Sequence, residues 1–206
     1  MKVLLVNGSH HEKGCTYTAL AEVEKALNAN GIETEIYQLA GKKIEGCKGC
    51  WACKKAKQCV FDDGTVNDFV AKAAEFDGFV FGSPVYYASA SGALISFMDR
   101  VFYSGGKFLA FKPAAAVVSC RRAGASTTFD VINKYFTINN MPIVGSNYWN
   151  EIHGNTAEEA AQDEEGLQTM RVLGNNMAWL LKCLALGKEA GIEPVRERKI
   201  MTNFIR

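Results

Sequence analysis

Residues 3–20 read VLLVNGSHHEKGCTYTAL. Val3-Leu4-Leu5-Val6 is an unbroken apolar run, the pattern of a strand buried on both faces. Asn7-Gly8-Ser9 ends it. From Thr16 to Asn30 the period changes to that of a helix, with Ala19, Leu20, Val23, Ala26 and Leu27 on one face, and Asn30-Gly31 supplies a stop.

The alternation continues along the chain. Strands are predicted at Glu33–Leu39, Gly78–Gly82 (GFVFG), Ala114–Ser119 (AAAVVS) and Met141–Val144. Helices are predicted at Val66–Phe76, Ala93–Tyr103 and Thr127–Thr137, and Glu158–Ala190 supports one long helix or two shorter ones. Glutamates open that last stretch, and Lys182 and Lys188 come late, as the helix dipole favours. Five strand–helix pairs imply a parallel sheet covered by helices on both faces. Ligands of such sheets bind at the carboxyl ends of strands, where the winding direction reverses. The loops after Val6, Gly82 and Ser119 are therefore where chemistry is expected.

The chain has 206 residues, enough for one ordinary domain that buries a full core without disulfides. Hydrophobic residues at 48% and charged residues at 22% exclude wholesale disorder. A net charge of +1 provides no basic field for nucleic acid. The longest uncharged stretch, 78–98, contains Gly82, Pro84, Gly92 and several serines, which argues against a membrane span. The apolar run after Met1-Lys2 is too short for a secretory signal, so a cytoplasmic location is expected.

The first loop sets Ser9, Thr16 and Thr18 around a strand-to-helix turn. Hydroxyls beside unpaired N–H groups at a positive dipole end suit a phosphate monoester. The loop lacks both G-x-G-x-x-G and the Lys-Ser/Thr of a P-loop. An ordinary N-cap with a polar turn is the alternative. Cys15 reads either as a thiol activated by the helix N-terminus or as a small turn residue, and His10 and His11 as solvated loop residues. After the GFVFG strand, Ser83-Pro84-Val85-Tyr86-Tyr87 offers a rigid backbone and two aromatics, enough to hold a flat ring or simply to pack a loop. After AAAVVS, Arg121 and Arg122 sit in a glycine-bearing loop, ready to meet an anion or to remain solvated. Cys183, among Leu180, Leu181 and Leu184, reads as a core residue.

Four of the seven cysteines lie in CKGCWACKKAKQC, spaced C-x2-C-x2-C-x5-C: Cys47, Cys50, Cys53 and Cys59. Asp62-Asp63-Gly64 breaks the chain after them. Closely spaced thiolates can wrap an iron–sulfur cube, and the opening triplet is ferredoxin-like. Lys42, Lys43, Lys48, Lys54, Lys55 and Lys57 would offset its negative charge, and Trp51 would either shield it or serve as a plain packing residue. Zinc and a Cys50–Cys53 redox disulfide remain open as alternatives.

Taken together, these residues resemble the flavodoxin-like NADPH-dependent FMN reductase superfamily, and more narrowly its iron–sulfur flavoproteins. NGSHHEKGCT is similar to the family's G-S-x(n)-G-N-T loop, with Cys15 where asparagine is commoner. SPVYY matches S-P-x-Y, Asp99-Arg100 matches the following D-R, and 145–154 with 163–181 also look like this family. The resemblance covers nearly the whole chain. It implies a single flavodoxin-like domain, 1–206, with a cysteine-rich insert at about 44–62. The implied fold is a three-layer α/β sandwich with a five-stranded parallel sheet in the order 2-1-3-4-5.

The resemblance further implies bound FMN. Its phosphate would be held by Ser9, Thr16, Thr18 and the N–H of Cys15. Pro84, Val85, Tyr86 and Tyr87 would line the isoalloxazine, and Ser119, Arg121, Arg122 and Gly124 would close the third loop. Cys47, Cys50, Cys53 and Cys59 would ligate a [4Fe–4S] cluster. A homodimer or dimer of dimers is implied, with Tyr148, Trp149 and His153 as possible flavin covers. The expected function is FMN-dependent electron transfer from NAD(P)H or a ferredoxin-type partner to a small-molecule acceptor, without a side-chain nucleophile. The competing readings are a flavodoxin-type carrier without its own substrate, a cluster-free NAD(P)H:FMN, quinone or azo reductase, and a zinc-stapled interaction module.

Overall fold

The structure, a computed structural model, describes residues 1–61, 64–202 and 204. Part of the expected break, Asp62 and Asp63, lies outside them. Strand β1 (Lys2–Asn7) leads into helix α1 (Cys15–Ala29) and strand β2 (Glu33–Gln38). The cysteine segment follows with one short helical turn, α2 (Cys53–Ala56), then α3 (Val66–Ala73). Next come β3 (Gly78–Tyr86), the two-residue β4 (Ser89–Ala90) and α4 (Gly92–Gly105). The chain continues through β5 (Ala114–Cys120), α5 (Ala125–Ile138), β6 (Glu151–His153), α6 (Ala157–Ala160) and α7 (Glu164–Glu189).

The main sheet is parallel in the order β2-β1-β3-β5-β6. This is the flavodoxin-like three-layer fold, with the predicted order in its five parallel strands. Among the described residues the sheet has six strands rather than five, because β4 folds back antiparallel on the end of β3. Alternation along the strands sorts the core. Leu4, Val6, Phe79, Phe81, Ala116 and Val118 face a cluster closed by α3, α4 and α5. Val3, Leu5, Val80, Ala115 and Val117 face the opposite cluster, closed by α1 and α7. Burial on both faces is why these strands read as continuous apolar runs.

Two strand predictions need correction. Met141–Val144 forms only an isolated bridge, Ala114 to Ile143, with Ala114 N–H donating to Pro142 O at 2.9 Å. Pro142 has no N–H with which to extend the ladder. The chain leaves the sheet and returns at β6, which pairs with Val118–Cys120. Buried Asn150 spans the gap, its Nδ2 donating to Ala116 O at 3.0 Å while its C=O accepts from Val118 N–H at 2.9 Å. The second correction is Ser83-Pro84-Val85-Tyr86, which belongs to β3 rather than to a loop. Pairing with β1 ends at Asn7–Gly82, whereas pairing with β5 runs on to Pro84–Ser119. Pro84 therefore sits where β3 has become an edge on one side, a position proline tolerates. The terminal region is two helices, α6 and α7. Cys183 is exposed on α7, contrary to its reading as core.

The start of the first loop is set by close backbone approach. Gly8 N–H donates to Gly82 O at 2.8 Å, and a Cβ at Gly8 would stand 2.8 Å from both Gly82 O and Leu94 Cβ. Gly8→Ala is expected to destabilise the protein by about 1–3 kcal/mol, as overpacking does. Gly92→Ala, in a helix with open space around it, is expected to be neutral or stabilising by up to about 1 kcal/mol. Urea unfolding of the two variants measures the contrast.

Candidate functional site

Beyond the carboxyl ends of β1, β3 and β5 lies a cleft of about 940 Å³. It is anchored by Asn7, a fully buried polar residue at the end of β1. Asn7 Oδ1 accepts from Ser9 N–H at 3.1 Å, and its Nδ2 donates to Glu12 O at 3.1 Å and Gln38 Oε1 at 2.8 Å. Ser9 Oγ in turn accepts from His11 N–H at 3.0 Å. The loop is thus folded back on its own side chains before α1 begins.

Helix α1 starts after Gly14 with no side-chain cap and no acidic residue in its first turn. Its first N–H groups and positive dipole end are left for an anion. Behind them, Thr16 Oγ1 and Ser119 Oγ share a buried hydrogen bond of 2.8 Å, which ties α1 to the end of β5. Cys15 is not an activated thiol. Its Sγ donates to Gly154 O at 3.5 Å, and burial, reinforced by Glu159 and Glu158, pushes its pKa up despite the helix N-terminus.

The cleft brings together most of the expected residues. Ser9, Cys15, Thr16, Pro84, Val85, Tyr86, Ser119 and Arg121 all line it. Tyr86 lies with its ring parallel to that of His10, centroids 6.2 Å apart. Thr18, Tyr87, Arg122 and Gly124 do not line it. Thr18 turns its hydroxyl to Gly14 O at 3.4 Å, and Tyr87, held at φ +61°, projects fully into solvent. Arg122 is exposed. Gly124, at φ +89°, instead packs the third loop against Val85, where a Cβ would meet Val85 Cγ1 at 2.9 Å. The structure adds Cys120, Ala40–Gly41 and Gly154–Glu158 to the lining. Burial, then Glu151, pushes the Cys120 thiol up as well. His153 is half-exposed with Nδ1 3.7 Å from Asp163, and Tyr148 and Trp149 are exposed and in contact with each other.

The four clustered cysteines line a second, separate pocket with Trp51, Phe61, Arg100, Tyr103 and Ser104. All four are free thiols, from exposed Cys47 and Cys50 to buried Cys59. Among the described residues no three metal-binding side chains close on a point, as a lone metal ion requires. A cube of four irons takes one thiolate at each corner, so its ligands stand further apart. Four thiols around one apolar pocket fit that donor set. The Asp99-Arg100 pair divides its work. Asp99 accepts from Tyr135 O–H at 2.6 Å, binding α4 to α5, and burial followed by that bond raises the phenol pKa. Arg100 turns the other way, toward Cys59. No helix of the described residues is long and apolar enough to cross a membrane.

Comparison with known proteins identifies the family. The chain is 35% identical over 196 residues to an iron–sulfur flavoprotein of Methanocaldococcus jannaschii, covering 89% of this chain and 99% of that one. In fold it is similar to RosB, crystallised with 8-demethyl-8-formylriboflavin-5'-phosphate, at a TM-score of 0.71 and 16% identity, covering 100% and 92% of the two chains. It is also similar to a flavodoxin from the domain Archaea, at a TM-score of 0.62 and 15% identity, covering 88% and 99%. Residues 1–156 match the NADPH-dependent FMN reductase family. The chain belongs to that family, in its iron–sulfur flavoprotein branch, and is a flavin-dependent oxidoreductase.

Proposed function

We propose that this protein holds FMN in the cleft and a [4Fe–4S] cluster on Cys47, Cys50, Cys53 and Cys59. In this reading it carries electrons from NAD(P)H or a ferredoxin-type donor to a small-molecule acceptor. The observation that carries the flavin assignment is the uncapped, acid-free start of α1, opening into a cleft whose walls are the ends of β1, β3 and β5. When bound, FMN supplies an N5 that accepts hydride and a ring that exchanges one or two electrons.

The protein's own residues do the positioning. The first N–H groups of α1 and Ser9 receive the phosphate. The Thr16–Ser119 bond keeps that helix end fixed against β5. Arg121 adds a positive charge on the third loop, while Pro84, Val85 and Tyr86 give the ring a stiff wall. Because both cleft thiols, Cys15 and Cys120, are held protonated, neither is a nucleophile in the reaction. Exposed Trp51, Tyr103, Tyr148, Trp149 and Tyr87 suit burial against a second copy, so the working form is proposed as a homodimer or dimer of dimers. Seven free cysteines suit a reducing, cytoplasmic setting.

Protein purified without oxygen tests the reading directly. Flavin absorption bands with about four irons and four sulfides per chain are expected. Flavin without iron would remove the cluster and leave a cluster-free reductase, with zinc the next assay. Hydroxyl deletion separates the two threonines. Thr16→Val is expected to weaken FMN retention by up to about tenfold, because it removes the bond to Ser119 that fixes the phosphate-facing helix end. Thr18→Val should leave retention within about twofold, because its hydroxyl faces its own helix. In flavin-free protein, iodoacetamide should modify Cys15 slowly at neutral pH. Its rate should rise only as pH climbs above the ordinary thiol range, read by peptide mass mapping.

A further inference from the structure

Helix α4 buries a guanidinium that the cleft does not use. Arg100 is 3% exposed and lies beneath the cysteine segment. Its Nε–H donates to Cys59 Sγ at 3.4 Å. One terminal nitrogen donates to Glu45 O at 3.4 Å, and the other to Phe61 O. Glu45 precedes Cys47 and Phe61 follows Cys59, so one planar fork spans both ends of the segment. The rest of the α4 surface completes the floor. Tyr103 C=O accepts from Cys53 Sγ at 3.7 Å, the Tyr103 ring meets Trp51 edge-on at 5.5 Å, and Ser104 Oγ donates to Arg100 O at 2.7 Å.

Cys59 is fixed from a second direction. Its N–H donates to Asn67 Oδ1 at 2.9 Å, and its C=O accepts from Asn67 Nδ2 at 2.8 Å. Of the four cysteines it is the buried one, whereas Cys47 and Cys50 are exposed and Cys53 is intermediate. A neutral thiol is a weak acceptor. A thiolate, by contrast, is a strong acceptor for a charged donor. Among the guanidinium's contacts, the one to Cys59 is therefore the one that strengthens when the sulfur loses its proton, and metal ligation imposes that loss.

We propose that Arg100 is the positioning residue for Cys59 as a cluster ligand: it fixes the sulfur before the metal arrives and then favours the reduced cluster over the oxidised one. The inference rests on the reading of the four cysteines as cluster ligands. The direction of the bias follows from charge. One-electron reduction makes a thiolate-ligated cluster more negative. A fixed cation donating to a ligand sulfur stabilises that state more than the oxidised one. Removing the cation lowers the reduction potential.

The test compares wild type, Arg100→Gln and Arg100→Lys, purified without oxygen. Iron and sulfide are assayed, and the cluster is titrated with dithionite under a controlled potential. In metal-free protein, alkylation of Cys59 by iodoacetamide is followed by peptide mass mapping. Arg100→Gln is expected to lose iron and to reduce at a lower potential, by about tenfold in the equilibrium constant, or about 59 mV for one electron. Arg100→Lys keeps the charge but not the fork, so its potential should fall between the two. Labelled at a pH above the ordinary thiol range, where the sulfur is thiolate with or without the cation, Cys59 should be alkylated several-fold faster in both variants, because it is no longer held. Full iron content, an unchanged potential and unchanged Cys59 labelling would overturn the role of Arg100. If Arg100→Gln does not fold, the lysine variant decides by the same readings. Iron-free wild type would overturn the cluster assignment itself, and this inference with it. Iron-bearing wild type with unchanged variants would overturn the role of Arg100 alone.

Discussion

The backbone of β1 is hydrogen-bonded to β2 on one side and to β3 on the other, along almost its whole length. A strand buried on both faces has no water to satisfy its N–H and C=O groups, so both ladders must be complete. Chain order reverses there, with the segment that follows β1 going to one flank and the later one to the other. The loops leaving β1 and β3 consequently diverge, and a crevice opens between them. Asn7 ends the ladder by spending all of its side-chain polar groups on Ser9, Glu12 and Gln38. The position of α1, and so of its uncapped N-terminus, follows from those bonds.

Helix α4 performs the corresponding task for the cysteine segment. That segment has little regular structure of its own beyond the short turn of α2. Its order comes from outside: Arg100 and Tyr103 on α4, and Asn67 on α3. Both helices are seated by core contacts. Gly105 lies so close to Val70 that a Cβ there would meet it at 2.4 Å, fixing α3 against α4. The two pockets therefore share one framework, because α3 and α4 pack on the same sheet whose strand ends form the cleft.

What was legible in the sequence tracks how much apolar surface each element buries. The runs at Val3–Val6, GFVFG and AAAVVS were readable because both of their faces are core. Strand β6 was not, since only Ile152 of its three residues is buried and no period can be read from that. Met141–Val144 carries the stronger apolar signal, yet Pro142 denies it a ladder. Pro84 misled in the opposite sense, suggesting a loop where β3 merely loses one neighbour. Within the site, Thr16 and Thr18 looked equivalent as a list of hydroxyls. Two positions apart on a helix, they cannot face the same way, and only Thr16 reaches Ser119. Cys183 sits among leucines in sequence, but Leu181 faces the core while Leu184 does not. The far wall, Gly154–Glu158, had no local signature because it enters the cleft through the late pairing of β6.

The two proposed groups are both anionic, and the chain meets them differently. At the cleft the favourable charge comes from the oriented N–H groups of α1 together with Lys13 on the first loop and Arg121 on the third, with Glu12 and Glu158 also in the lining. Fixed dipoles need no flexible cation and hold one geometry. Around the cysteines the charge is carried by long lysines, several of them laid over aromatic rings. Lys54 stands 4.1 Å from the Trp51 ring centre, Lys48 4.4 Å from Phe61 and Lys42 4.5 Å from Tyr37. Such cations raise the local electrostatic potential without being buried, so they stabilise negative charge weakly and diffusely. Arg100 is the exception, a buried cation directed at one sulfur. Screening by salt acts on the exposed lysines and hardly on Arg100. High ionic strength therefore leaves the contribution of this buried side chain largely in place while it weakens that of the lysines.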